Sequence, residues 1–475
     1  MKEGYIPKDQ RKKILLITDD IRMHSGVGSV GRELVLHTAH HFNWVNLGGA
    51  INHPDKGKRF DLSQETDKQM GLEDSSVFVY PIEGYSNAEF LRNIINMEQP
   101  DAIFLITDPR YFVWLFEIEN EIRARIPIVY LNIWDDLPAP LYNRPYYESC
   151  DALLAISKQT KNINELVLGE GVKNKIIEYV PHGINTDVFF PVDKEDQEYQ
   201  EFIKKITKGR EYDFVMFFNS RNIRRKQIQD ALLSFKLFLD TLPKEKAEKC
   251  LFLLNTQPID ENGTDLFAVI EYFFGKDTKN ILISGSSLAA KHLNYLYNYA
   301  DVQILTSSAE GWGLSLTEAL VTGTPIIGNV TGGIQDQMRF EDENGNWINF
   351  SKELPSNHTG KYKKCGEWAF PVFPNNRSLV GSIPTPYIYE TRCSIEDTLK
   401  VIKEVYSLGK EELKRRGLKG REWALGDESG FTAVKMGEKV ISSLDKMFST
   451  WKPKERYEVI KFEESENLCP HNLSY

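Results

Sequence analysis

Residues 300–333 read ADVQILTSSAEGWGLSLTEALVTGTPIIGNVTGG, and the stretch divides into three pieces. Val302 to Leu305 is a short, largely apolar run of strand length. Leu314 to Val321 is mostly apolar and helix-forming, and Thr324 to Gly328 is a second short β-like run, closed by Gly332-Gly333. Glu310-Gly311-Trp312-Gly313 fills the turn between the first strand and the helix. A strand, a Gly-rich turn and a helix N-terminus together form an anion site, because free backbone N–H groups point outward and the helix dipole favours negative charge. Glu318 lies one to two turns into the helix, with Ser315 and Thr322 at spacings of three and four, so a narrow polar stripe is expected. Glu310 and Glu318 are acceptors at two distances from one phosphate-binding end, and a sugar joined by pyrophosphate to a ribose has hydroxyls to donate at two such distances. A lone pair of this kind reads equally as a turn cap and a water-facing side chain. The glycines and the strand–helix–strand setting favour the ligand.

Working outward, a chain of 475 residues, 41% hydrophobic and 12% aromatic, can bury two or three cores. Its net charge of -10 argues against an extended nucleic-acid surface but leaves room for a local basic cleft. The cysteines, at 150, 250, 365, 393 and 469, form no CxxC pair, so neither a disulfide framework nor a zinc site is indicated. The opening MKEGYIPKDQRKKILLITDD carries an apolar run of strand length, unlike a signal peptide, and no apolar run elsewhere is long enough to span a bilayer. A reducing cytoplasmic setting is expected, with contact at the inner membrane surface left open.

Lys13 to Thr18 reads as a buried strand, and Gly26, Gly28 and Gly31 then satisfy GxGxxG, a pattern that an ordinary tight β–α turn also produces. Val77 to Tyr80, Ala102 to Ile106, Ile128 to Asn132 and Ala152 to Ser157 are further strands separated by segments of helical spacing. Such alternation predicts a parallel, doubly wound sheet, with Asp135 and Asp136 at the cleft end of one strand. Residues 193–209 are charged and poor in large apolar side chains, as a linker with a short surface helix would be. A second sheet begins at Phe214 to Phe218 and continues through Leu251 to Asn255 and Asn280 to Ser284. In its first turn, 219–226, Arg221 and Lys226 can reach one phosphate, while Arg224 and Arg225 read as solvated cations. Residues 344–394, rich in Pro, Asn, Gly and aromatics, are expected to serve as a lid, an acceptor platform or a subunit contact. Ser394 to Tyr406, Lys410 to Ala424 and Phe431 to Trp451 read as helices, and 455–475 as a polar tail.

EGWGLSLTEALVTGTPII, with seven residues between Glu310 and Glu318, resembles the Glu-x7-Glu signature of glycosyltransferase family four, retaining nucleotide-sugar enzymes of the GT-B fold. LNYLYNYADVQILTSS before it, IIEYVPHGINTDVFFP at 176–191 and the 219–226 turn extend the likeness, which covers roughly residues 10 to 450. The resemblance implies an α/β architecture of two Rossmann-like domains facing a cleft. The first would be 1–192, completed by a returning helix at 431–451, and the second 210–430. It implies that Arg221 and Lys226 hold the donor diphosphate, with the N–H groups of Gly313 and Leu314 beside Trp312. Glu318 would bind the ribose, Glu310 the donor sugar, and Gly26 and Gly28 would lie against the pyrophosphate. His182 stands where the family has Asn, and Trp134 where a His is usual. Asp135 or Asp136 is then the candidate to compensate, the other reading being an N-cap or loop carboxylate.

The reaction so implied is transfer of a sugar from a UDP- or GDP-sugar to a hydroxyl on a glycan, glycolipid or other acceptor. The configuration would be retained, and neither cofactor nor metal is expected, since the sequence holds no Asp-x-Asp triplet. Three alternatives stay open. They are a catalytically weak nucleotide- or sugar-binding protein, a transferase acting on modified DNA bases, and a Rossmann oxidoreductase, which would need an acidic ribose partner in the first domain.

Overall fold

The structure is a computed structural model that describes residues 4–285, 288–354 and 357–455. Of the segment expected as a tail, all but Glu455 lies outside the described residues. The first sheet has eight strands: β1 (Lys12–Asp19), β2 (Phe42–Gly49), β3 (Phe60–Asp61), β4 (Val77–Pro81), β5 (Ala102–Ile106), β6 (Ile128–Asn132), β7 (Ala152–Ala155) and β8 (Ile176–Tyr179). Their order is β3-β4-β2-β1-β5-β6-β7-β8, and only β3 against β4 is antiparallel. Ile14, Leu15, Leu16 and Ile17 are all fully buried, because helices cover both faces of a parallel sheet.

The second sheet is wholly parallel, with β9 (Phe214–Asn219), β10 (Cys250–Asn255), β11 (Ile281–Ile283), β12 (Val302–Leu305), β13 (Ile326–Asn329) and β14 (Ala369–Val372) in the order β11-β10-β9-β12-β13-β14. Both sheets reverse their winding, the first between β1 and β5 and the second between β9 and β12. Ligands of doubly wound sheets bind at such reversals, beyond the carboxyl ends of the strands.

Between the sheets runs helix Gln197–Ile206, inside the charged linker. The long helical stretch Ile395–Leu425 is broken at Gly409 (φ 74°, ψ 163°), between the two helices expected there. Helix Ala433–Thr450 returns to the first domain and packs on helix Gly26–Thr38. The approach is close: a Cβ on Gly437 would lie 3.0 Å from the His37 carbonyl oxygen. Residues 344–394 hold β14 and an antiparallel hairpin, β15 (Asn376–Ser382) with β16 (Thr385–Arg392). No helix among the described residues is long and apolar enough to cross a membrane.

Candidate active site

The two strands at the second sheet's reversal supply the site. From β9 the chain enters a tight turn, Arg224–Lys226, ended by Gln227 in the left-handed region (φ 55°). From β12 it passes through Ser307 and Ser308 to Glu310 and into helix Leu314–Thr322, whose cap Gly313 has φ 87°. The Glu310 carboxylate pairs with Lys226 Nζ and with Arg225 Nη1 at 3.1 Å. Arg225 also donates to Ala309 O at 2.5 Å, and its own carbonyl accepts from the Ser308 N–H at 2.8 Å. Glu310 and Lys226 are each 7% exposed. Burial alone would raise the Glu310 carboxyl, but Lys226 and Arg225 outweigh it and pull the pKa down to about 2, so the group is ionised.

Glycines bring the chains together. A Cβ on Gly332 would fall 1.8 Å from Glu310 O, and one on Gly333 2.3 Å from Gly311 O. On the opposite side, a Cβ on Gly311 would meet Ile133 O at 2.8 Å and Asp135 Oδ1 at 2.9 Å. The turn therefore abuts the loop beyond β6 of the first domain, and Asp135 faces the Arg225–Lys226–Glu310 cluster. Burial raises its carboxyl, and Arg225 counters part of that rise.

The remaining candidates are distributed unevenly. Gly26 comes to Leu314, with 3.7 Å between a would-be Cβ and Leu314 Cδ1, so the first loop does meet the helix end. Gly28 closes that loop by donating to Ser25 Oγ at 2.9 Å. Glu318 Oε2 accepts from Tyr297 at 2.5 Å and Asn219 at 3.3 Å, and burial raises its carboxyl to about 7 against those two bonds. His182 is 6% exposed with Nδ1 unpartnered, and its ring packs on Trp312. Burial lowers it to about 3, so it is neutral. The Trp312 ring is buried between His182 and Phe431 and donates to Thr317 Oγ1 at 2.9 Å. Trp134 is buried in the first domain, bonded to Asp136 O at 2.8 Å and packed on Tyr142.

One placement departs from expectation. Arg221 does not join Lys226; it is 62% exposed and binds Asp260 at 2.7 Å. Arg225, expected to be solvated, occupies that place. The turn that separates them is set by its hydrogen bonding to 260–262, and no composition signal reveals it. Sequence reasoning also missed Asn219 and Tyr297 on Glu318, although Tyr297 belongs to the YLYNYAD phrase. It missed the tie between domains in which the Lys158 N–H donates to Asp336 Oδ2 at 2.9 Å and its Nζ to Ile348 O at 2.9 Å.

The chain superposes on the sucrose-phosphate synthase of Thermosynechococcus elongatus with a TM-score of 0.63 at 14% identity, over 92% of this chain and 100% of that one. It superposes on Anabaena Alr3699/HepE, solved with UDP and glucose, with a TM-score of 0.62 at 12% identity, over 92% and 100%. The fold is GT-B. Residues 278–354, which hold the 310–313 turn and helix Leu314–Thr322, match the family model "Glycosyl transferases group 1". Over 162 residues the chain is 24% identical to a probable sucrose-phosphate synthase of Thermosipho melanesiensis, 34% of each chain. The chain spans about a third of the length of the curated relatives it matches.

Proposed function

We propose that this GT-B chain is a glycosyltransferase that moves a sugar from a nucleotide-diphosphate sugar to a hydroxyl acceptor, retaining the anomeric configuration and needing no metal. The observation that carries the reading is the cluster of Arg225, Lys226 and Glu310 beside the first turn of helix Leu314–Thr322, with Asp135 of the first domain set against it. As the glycosidic bond breaks, negative charge builds on the leaving diphosphate. Two cations and a helix N-terminus are the groups suited to meet it, and fixed donors of this kind are worth on the order of 10²–10³ in rate. The bond from the anomeric carbon to the phosphate oxygen breaks as the bond to the acceptor oxygen forms on the same face. The acceptor proton passes to a phosphate oxygen, so no protein base is required. Glu318, with Tyr297 and Asn219, binds the ribose hydroxyls, and Glu310 exchanges cation contacts for donor sugar hydroxyls. Neutral His182 can offer Nδ1 as a hydrogen-bonding group but not as an acid.

UDP-glucose is the first donor to try, because HepE was solved with UDP and glucose. Nucleotide release should appear with one nucleotide family, survive EDTA, and yield a product whose anomeric proton coupling matches the donor. Loss of turnover in EDTA, or an inverted product, would refute the corresponding part. A binding protein of weak activity is the second reading, favoured by Trp134 lying in the core where the resemblance places a histidine; donor affinity without turnover would establish it.

A further inference from the structure

The acceptor has to approach from the first domain, beyond the carboxyl ends of β1, β2, β4, β5 and β6. The cations of those loops are already engaged. Asp20 holds Arg22 through two contacts, at 2.8 and 2.6 Å, and Asp108 holds Arg110 at 2.7 and 2.5 Å. Lys56 pairs with Glu83, Lys58 with Asp55 and Arg59 with Glu98. Acidic groups are in excess there: Asp19 accepts from the hydroxyls of Ser25 (2.5 Å) and Tyr85 (2.6 Å), and Asp135 looks onto the donor cations.

Aromatic rings border the same region. Tyr85 and Tyr111 have centroids 4.8 Å apart, and Tyr111 is 55% exposed. Tyr142 meets Tyr387 edge-on at 4.8 Å, and its hydroxyl donates to Tyr387 O at 2.8 Å. Tyr387 comes from the second domain, on β16. One edge of β16 sends the Tyr389 N–H to Leu137 O at 2.8 Å and the Thr391 N–H to Ser308 O at 2.7 Å. A single strand edge thus reaches from beside Glu310 to the loop that follows Asp135, and it presents tyrosines. Arg377 of the hairpin stacks on Tyr389, 4.5 Å from the ring centroid.

We propose that the acceptor is a neutral carbohydrate, seated against Tyr111, Tyr142 and Tyr387 with its hydroxyls on Asp108 and Asp135. The inference rests on the glycosyl-transfer reading and deepens it. A phosphorylated acceptor would bring about two further negative charges beside Asp19, Asp108 and Asp135. A phosphate in these loops would have to take an Arg or Lys from the carboxylate that now holds it and leave that carboxylate facing the phosphate, whereas Glu310 has two cations to share.

The test uses the full chain, one turned-over donor, and a panel of monosaccharides and disaccharides beside their 6-phosphates. At least one neutral sugar should exceed its 6-phosphate by tenfold or more in kcat/KM. A 6-phosphate that outperforms its neutral parent overturns the proposal, as does donor binding with no transfer to any neutral carbohydrate. Donor affinity measured on the same preparation separates the two levels, because absent donor binding defeats the glycosyltransferase reading itself. Two variants sharpen the result. Tyr387→Ala should raise acceptor KM about tenfold with donor Kd unchanged. Asp108→Asn keeps a cap for the turn but releases Arg110, and should move the preference toward the 6-phosphate; an unmoved preference counts against the charge argument.

Discussion

The turn at 310–313 and the hairpin at 376–392 flank the same cleft, and they are held by opposite means. In the turn, backbones from three segments lie so close that side chains are excluded: Cβ atoms on Gly311, Gly332 and Gly333 would all fall within 3 Å of backbone oxygens. The hairpin is tight only within its own turn, where a Cβ on Gly381 would lie 2.3 Å from Pro386 O. Ile383 at its tip is fully exposed, Leu379 is 61% exposed, and a few backbone hydrogen bonds and tyrosines fix its base. On the proposed function, the half that would meet developing charge is locked sterically, which keeps dipoles aimed without reorganisation. The half proposed to meet the acceptor is fastened by contacts that can be exchanged singly.

The sharpest way to break that contrast is to remove a donor-side cation. Lys226→Ala should lower kcat by on the order of 10²–10³, read as nucleotide release at saturating donor, with Arg221→Ala within about twofold of wild type; equal losses would mean the exposed arginine shares the site. Next comes the steric lock. Gly332→Ala introduces a Cβ 1.8 Å from a carbonyl at φ 49°, and urea denaturation should show a loss of about 3 kcal/mol or more. The Glu318 carboxyl gives a smaller, pH-dependent effect. Its folded pKa is raised from 4.5 to about 7, so between those values the folded chain keeps a proton that the unfolded chain has released. Stability therefore falls as pH rises through that window, and Glu318→Gln should flatten the melting-temperature profile there. The smallest effect belongs to the hairpin. Tyr142→Phe removes one hydrogen bond, worth about 1 kcal/mol, and should speed protease cleavage near 383 more than it lowers global stability.

The same contrast explains what could be read from the sequence. Steric exclusion leaves glycines at fixed spacing, and strands buried on both faces leave continuous apolar runs. The turn, its helix and the two sheets were therefore legible, and Ala102–Ile106 and Ile128–Asn132 match residue for residue. The hairpin is fastened through backbone N–H groups, which every residue but proline carries, so residues 376–392 could be marked as unusual but not given a shape. Arg225 was passed over because a single turn of three adjacent basic residues sends each side chain in a different direction, and the partners that hold Arg225, Ala309 and Glu310, lie 84 and 85 positions away. Beside Glu318, Asn219 and Tyr297 converge only once β9 and the helix Ala290–Tyr299 have packed.

Helix Ala433–Thr450, seated on Gly26–Thr38, has a consequence for biosynthesis. The first sheet leaves the ribosome early, yet the apolar side of its opening helix goes without its cover until the return helix emerges much later. A nascent chain therefore carries an unfinished first domain until residues 433–450 emerge, and any stop codon before position 433 would leave that surface bare for chaperones or proteases to find.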